Sequence, residues 1–511
     1  MKKFLIASAA LMLASPALAH PGHGGDEPAL GNSVGVEYMV FDTSVQGEAR
    51  EQFLVGLALL HNFEYRRAAE AFRGAQEADP DYVMAYWGEA MTYNHPLWEE
   101  QDREAALAVL ARLDPVREGR FAKTRNQREA MWLDAVETLY GTDGSGASKE
   151  ERDFLYLAKM RALHDSDLSD IDARAFTGLA MLGTAHGGRN IAIYMQAAGL
   201  LEPGFMTHEM HPGILHYLIH SYDDPVHAPL GERAAARYAV VAPDAGHAQH
   251  MVSHIFHALG DWKASERANV LADAVVDRQR AEAGRDATFC GHYNEWLVYS
   301  LLQQGKDASA IVDGCRAQAE AQIAAGADNR LGWGASSSYA VIAAWQGVDT
   351  GLWPAPVEGT GEGFLLARLQ MAHARILASF GREELIEGAL AELKSLAEQY
   401  KQVLPQVAPD DRTSVNWLER AIAQSEAILA LSYGKADEGL ALLEAAAEAE
   451  AALPVEFGPP RIAKPSYELL GEQLLAMGRK REAAAAFRKA LDFAPGRRLS
   501  LEGLKAAEGG A

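Results

Sequence analysis

Between His211 and Tyr222 the apolar residues Ile214, Leu215, Leu218, Ile219 and Tyr222 recur at helical spacing and form one face. On a helix advancing about 100° per residue, His216, His220 and Asp223 take a separate stripe roughly 60° wide. The pattern returns further on: Met251, Val252, Ile255, Phe256 and Leu259 form an apolar face. Beside it His247, His250, His254 and His257 fall within roughly 80° of one another. The spacing predicts two helices, each carrying an imidazole stripe next to its core-facing side.

Helical periodicity runs from Gln52 almost to the end of the chain, and strand signals are nearly absent. The segment ALLHNFEYRRAAEAFRGAQEADP places Gly56, Ala68, Phe72, Ala75 and Pro80 at the offsets of the tetratricopeptide pattern, which repeats about every 34 residues. Gly471, Ala483, Phe487, Ala490 and Pro495 meet the same five offsets again. Small residues there let two antiparallel helices approach closely, and the proline stops the second one. MAYWGEAM (Met84 to Met91) starts another unit, Pro203 and Pro243 end two more, and degenerate hairpins follow at Cys290 to Ala321, Phe364 to Leu396 and Trp417 to Ala447. The expected fold is all-α: a tetratricopeptide-type solenoid of helical hairpins, curling into a right-handed superhelix with a concave surface. Gly/Pro-rich stretches at Gly141 to Ser148, Gly351 to Gly363 and Leu453 to Pro465 read as loops between repeats. They divide the array into N-terminal (48–140), central (149–350) and C-terminal (364–511) repeats.

The first residues fit a signal peptide (1–19), with Lys2 and Lys3 as the basic start, an apolar run from Phe4 to Ala14, and Ala17-Leu18-Ala19 as the cleavage signal. The mature chain then begins at His20, has a flexible stretch over 20–47, and is exported to a periplasm or outside the cell. No later stretch qualifies as a transmembrane segment. The formal charge of −23 and the lack of basic runs argue against nucleic acid or an anionic membrane as partner. The two cysteines, Cys290 and Cys315, exclude a zinc–cysteine cluster and a disulfide-rich scaffold. They flank a predicted helical turn at Gly305-Lys306, so antiparallel geometry brings them level, and one disulfide is expected.

Nine of the 17 histidines lie between His208 and His257. His216 with His220, and His250 with His254, have the i, i+4 spacing that aims two imidazoles at one ion. The expectation is one divalent transition-metal centre held by His216, His220, His250 and His254, with His247 on the same stripe and Asp223 as an oxygen ligand. A His/Asp donor set without cysteine suits iron, zinc, copper or manganese. His61, Asn94, His95, His186, His208, His211 and His292 are candidates to support or extend it, whereas His164, His227 and His373 read as surface residues. Asp223 and Asp224 are expected at a helix end before Pro225, exposed and free to turn inward. No nucleophile–base constellation and no phosphate-binding glycine loop is evident.

LLHNFEY with AYWGEAMTYNHPLW, HPGILHYLIHSYDDP, HAQHMVSHIFHALGDW and KPSYELLGEQLLAMGR resemble a family of exported bacterial tetratricopeptide-repeat proteins with histidine-rich central repeats. The resemblance implies an all-helical fold and export, and brings no established reaction. Three functions remain open at this level: a metal-binding or metal-handling protein, a scaffold with a protein or peptide in its concave groove, and a metalloenzyme. For the last, Asp224 and Glu295 are the available acid–base groups.

Overall fold

The computed structural model describes residues 33–142, 144, 146–326, 334–407 and 414–509. The expected signal peptide and His20 lie outside the described residues. The described residues form an all-α solenoid of tetratricopeptide type. Among the described residues its one sheet is a two-stranded hairpin, Asn94–His95 with Glu100–Gln101.

Gly47–His61 with Tyr65–Ala78 is the first hairpin, and Ser466–Ala476 with Lys480–Phe493 the last. Their packing explains the repeat signature. A Cβ on Gly56 would lie 2.8 Å from the buried Phe72 ring, and one on Gly88, in the following helix, 2.3 Å from it. Phe487 is held in the same way between Gly471, at 2.8 Å, and Gly503, at 2.3 Å. Each phenylalanine thus fills the space that two glycines leave on the flanking helices. The degenerate repeats form the expected hairpins, His292–Gln303 with Ser309–Ala324 and Ser414–Ser432 with Ala436–Ala451 among them. One expected boundary differs: Pro203 does not end its helix, which runs from Ile191 to Thr207. Loss of one amide near a helix end removes a single hydrogen bond without stopping the last turn.

Both ends of the array fold back on its middle. Near the N-terminus, Arg67 donates to the carbonyl and carboxylate of Asp244, both at 2.9 Å, and Asn62 accepts from the Tyr238 hydroxyl at 2.9 Å. From the C-terminal repeat, Arg497 is fully buried, grips Glu468 through two bonds of 2.7 and 2.8 Å, and donates to the Tyr299 hydroxyl at 2.8 Å. Gly260 closes Gly246–Leu259 in the left-handed conformation, φ 72°. A side chain there would strike the Pro495 carbonyl, so only glycine suits both the turn and the contact. The loop before the last hairpin is pinned by the Trp345 indole, which donates to the Pro460 carbonyl at 3.3 Å.

Cys290 and Cys315 are joined by a disulfide with their Cα atoms 4.8 Å apart. It ties the entry of His292–Gln303 to Ser309–Ala324, two residues ahead of His292. In the chain-entropy view a bridge closing a loop of this length contributes about 3–4 kcal/mol. Reduction, or Cys290→Ser with Cys315→Ser, should lower the unfolding free energy by about that amount, read by thermal or denaturant unfolding against the oxidised protein. An unchanged unfolding curve would mean that the hairpin is held without the bridge.

Candidate functional site

The two histidine helices are Pro212–Tyr222 and Gly246–Leu259, and they pack against each other. Pro212 stands at the first helical position, where a missing amide costs nothing. At the far end Arg189 donates to the carbonyls of His220 at 3.1 Å and Ser221 at 2.8 Å, and pairs with Asp224 at 2.9 Å. Those carbonyls have no partner within their own helix, so the guanidinium closes a helix end inside the protein. Within each helix the i, i+4 imidazoles stand with ring centres 4.8 Å apart, His216 to His220 and His250 to His254.

Hydrogen bonds fix which ring nitrogen carries the proton. The Nδ1 of His216 lies 2.6 Å from the His61 carbonyl oxygen, which can only accept. The Nδ1 of His250 lies 2.7 Å from the Asn269 side-chain oxygen, whose amide nitrogen in turn donates to the Ser265 carbonyl. The Nδ1 of His254 donates to Asp223 at 2.5 Å. A ring carrying one proton thereby holds it on Nδ1 and leaves a bare lone pair on Nε2. The lone pairs of His250 and His254 point at each other. The Nε2 atoms of His250 and His254 are 3.0 Å apart, and those of His216 and His247 are 3.2 Å apart. The Nε2 of His220 is buried with no hydrogen-bond partner.

Ligand-type atoms within 4.8 Å of one another fall into two separate histidine triads, His216/His220/His247 and His250/His254/His292. A third group, His220/Asp223/His254, joins them. The quartet His216, His220, His250 and His254 expected around one ion is thus divided between two neighbouring sets. Asp223 and Asp224 are not exposed: both are buried, Asp223 against His254 and Asp224 between Arg189 and His227. Helix-end position alone suggested solvent, but the adjoining repeats cover this end. The stripes themselves are interior rather than open groove surface.

Aromatic side chains from distant parts of the chain enclose the cluster. Phe63 lies 4.3 Å from His216 and 5.4 Å from His247 between ring centres. It holds a left-handed backbone, φ 57°, a conformation that costs a non-glycine residue about 1–2 kcal/mol. Trp296 stacks on His254 at 4.3 Å, and Phe457, from the loop before the last hairpin, stands 5.3 Å from His254 and 6.3 Å from His220. Burial holds His216 down to about 3 and pushes His220, His247 and His250 well below the usual imidazole range. These rings are neutral, the state a metal ligand requires. A separate apolar cavity lined by Leu60, Met91, Pro96, Phe176 and Leu179 reaches Phe63 but contains none of the six histidines.

A second buried cluster lies behind His216. His211 caps its helix by accepting the Ile214 amide on Nδ1 at 3.3 Å, so its Nε2 donates to Asp172, also at 3.3 Å. His61 donates to the same oxygen from Nε2 at 2.9 Å and accepts from the Tyr217 hydroxyl on Nδ1 at 3.0 Å. These ring nitrogens are all partnered, while the second Asp172 oxygen is buried without a hydrogen-bond partner, and the three residues form a further group whose ligand atoms lie within 4.8 Å of one another. Burial raises the Asp172 carboxyl, but His211 and His61 outweigh it and bring it well below the carboxylate range.

Of the other candidates, His95 stacks on Tyr65 at 4.0 Å, and His186 lies in a turn and bonds Asp153 at 2.8 Å. Asn94 bonds Gln101 at 2.9 Å, and His208 bonds Thr207 at 3.0 Å. His257 packs among Trp262, Trp296 and Tyr299. Glu295 is half-buried, and burial raises its carboxyl, but it belongs to none of the ligand groups. Two histidines expected at the surface are not: His164 is buried, and His373 is buried against the Gln424 side chain at 2.9 Å. His227 is half-buried. Sequence reasoning missed Asn269, Asp172, Arg189 and Phe457, whose roles depend on contacts between different helices and loops.

No family model matches this chain, and no curated protein matches it. Among solved structures it is similar to the tetratricopeptide-repeat domain of P58(IPK), with 14% identity over 90% of this chain and 98% of that one, TM-score 0.20. It is also similar to yeast Tom70, with 13% identity over 90% and 95%, TM-score 0.25. Naa15/Naa10 bound to HypK-THB matches with 11% identity over 90% and 66%, TM-score 0.20. At these scores the likeness adds nothing to the fold read from the hairpins themselves.

The buried rings make stability depend on pH. Burial lowers His61 and His373 to about 4, and His216 and His257 to about 3, against about 6.5 in the unfolded chain. Below that value the unfolded state binds more protons than the folded one. Stability is therefore full above about pH 6.5 and is lost as pH falls toward 4, each such group contributing up to about 1.4 kcal/mol per pH unit. Chelator-treated protein should show a melting temperature that drops steadily from pH 7 to pH 4. A flat profile over that range would contradict the burial of neutral imidazoles.

Proposed function

We propose that this protein binds a transition metal through imidazoles buried at the centre of its helical-repeat scaffold. The observation that carries the reading is the facing pair His250 and His254. Both give their Nδ1 proton to a fixed acceptor, and both present bare Nε2 lone pairs 3.0 Å apart. Two lone pairs at that distance repel unless a cation lies between them. Two nitrogens bound tetrahedrally to one ion at about 2.0–2.1 Å stand about 3.3 Å apart, close to the separation found. The contacts on Nδ1 are those that orient ligating histidines from behind. On this reading Asp223 orients His254 through the oxygen that accepts from Nδ1, and Asn269 and the His61 carbonyl do the same for His250 and His216. A shared proton would also satisfy the His250–His254 pair, and metal analysis separates the two.

The expected export of the chain fits the disulfide, because bridges persist in oxidising compartments. A second reading, a scaffold for a protein partner, is favoured by Met206, Val226, Leu230 and Val240, which are all exposed on neighbouring elements. A partner docked there should remain bound after chelation; one released by chelation would make the metal part of the contact.

Protein purified from the compartment to which it is exported should contain metal and melt at a higher temperature before chelation than after it. A folded-state ligand at a hundredfold excess over its dissociation constant adds about 2.7 kcal/mol. The double variant His220→Ala/His254→Ala should lose both the metal and the chelator-sensitive rise. Full metal content in that variant, with unchanged affinity, would place the site elsewhere.

A further inference from the structure

We infer that the cluster is a two-ion centre: His216, His220 and His247 hold one ion, and His250, His254 and His292 hold a second, neighbouring one. The inference rests on the metal reading above and goes beyond it in number, donor set and metal class. Each triad is built alike. An i, i+4 pair on one helix supplies two imidazoles, and a third comes from the start of another helix: His247 from the first turn of Gly246–Leu259, His292 from the first residue of His292–Gln303. Within each triad all three ligand atoms lie within 4.8 Å of one another, and no histidine belongs to both.

The division follows from the backbone supports. His216 is anchored on the His61 carbonyl, in the N-terminal repeats, whereas His250 is anchored on Asn269, one helix further on. The two pairs are thereby drawn toward opposite sides of the interface between their helices. His220 and His254 form the shared wall, with ring centres 5.8 Å apart, and Asp223 lies within ligand distance of both. Its Oδ2 is committed to His254 Nδ1, so neither triad depends on that oxygen as a ligand.

Three imidazoles and no thiolate form a borderline donor set. It suits copper, zinc, iron or nickel and gives no purchase to calcium, magnesium or manganese, which want oxygen. Three protein nitrogens also leave a tetrahedral ion one free position, so each ion would keep a site for water or another small ligand. Phe63 stands over the first triad, Phe457 reaches the shared wall, and Trp296 stacks on the second triad. This walls the positions with apolar surface.

The rim histidines make the test tractable. His247 is half-buried and His292 exposed, so replacing either disturbs the interior less than changing His216 or His250. Full-length protein stripped of metal and titrated with Zn²⁺, and separately with Cu²⁺, is followed by native mass spectrometry, with thermal unfolding confirming that each variant is folded. Wild type should take up two ions per chain, and His247→Ala and His292→Ala one tightly bound ion each. If His292→Ala does not fold, His292→Asn serves in its place. One ion in wild type, weakened by both variants, would overturn the two-ion centre and leave the metal reading standing. No ion in wild type would overturn both. Two ions retained at unchanged affinity in both variants would overturn the triads.

Discussion

A neutral imidazole removed from water has one proton to give and one lone pair to place, and leaving either unmet costs free energy. The centre of this protein meets half of that demand at three of its rings. Protons of His216, His250 and His254 go to a carbonyl, an amide oxygen and a carboxylate, each delivered by another part of the array. The lone pairs are then forced to face inward. Contrast His61 and His211 close by, whose ring nitrogens are all matched by Asp172, Tyr217 and a backbone amide. The ring nitrogens of that cluster are satisfied, although Asp172 keeps one buried oxygen without a partner, whereas in the histidine triads the Nε2 atoms of His250 and His254 face each other and that of His220 has no partner. That difference, not the number of histidines, carries the functional reading.

The fold serves this arrangement by bringing three regions to one place. Phe63 arrives from the first hairpin, the histidine helices from the middle, and Phe457 from the loop before the last hairpin. The buried Arg497–Glu468 pair and its bond to Tyr299 hold the last repeat against the central helices. Removing either partner of such a pair would strand a buried charge. Burial between the repeats keeps His216, His220 and His250 from water and lowers their pKa values.

Much of this was legible in the sequence where it depended on local spacing. The glycine–phenylalanine offsets of the first and last repeats predicted the packing of Phe72 and Phe487, because small-to-large contact between paired helices is a fixed feature of the repeat. The i, i+4 histidines and the level cysteines were readable for the same reason. What escaped was set by distant contacts. Asp223 and Asp224 look exposed from their helix end, yet Arg189 and His254 bury them. His373 looks like surface until Gln424 is placed beside it. The division into two triads turns on Asn269 and the His61 carbonyl, neither of which any spacing rule connects to the histidines they hold.

X-ray absorption at the edge of the bound metal, recorded on protein as isolated, addresses the central claim most directly. Imidazole ligation predicts a first shell of nitrogen at about 2.0–2.1 Å, with the outer-shell scattering of rigid rings and no sulfur. A first shell of oxygen or sulfur without ring scattering would contradict a centre built on the Nε2 atoms of these histidines.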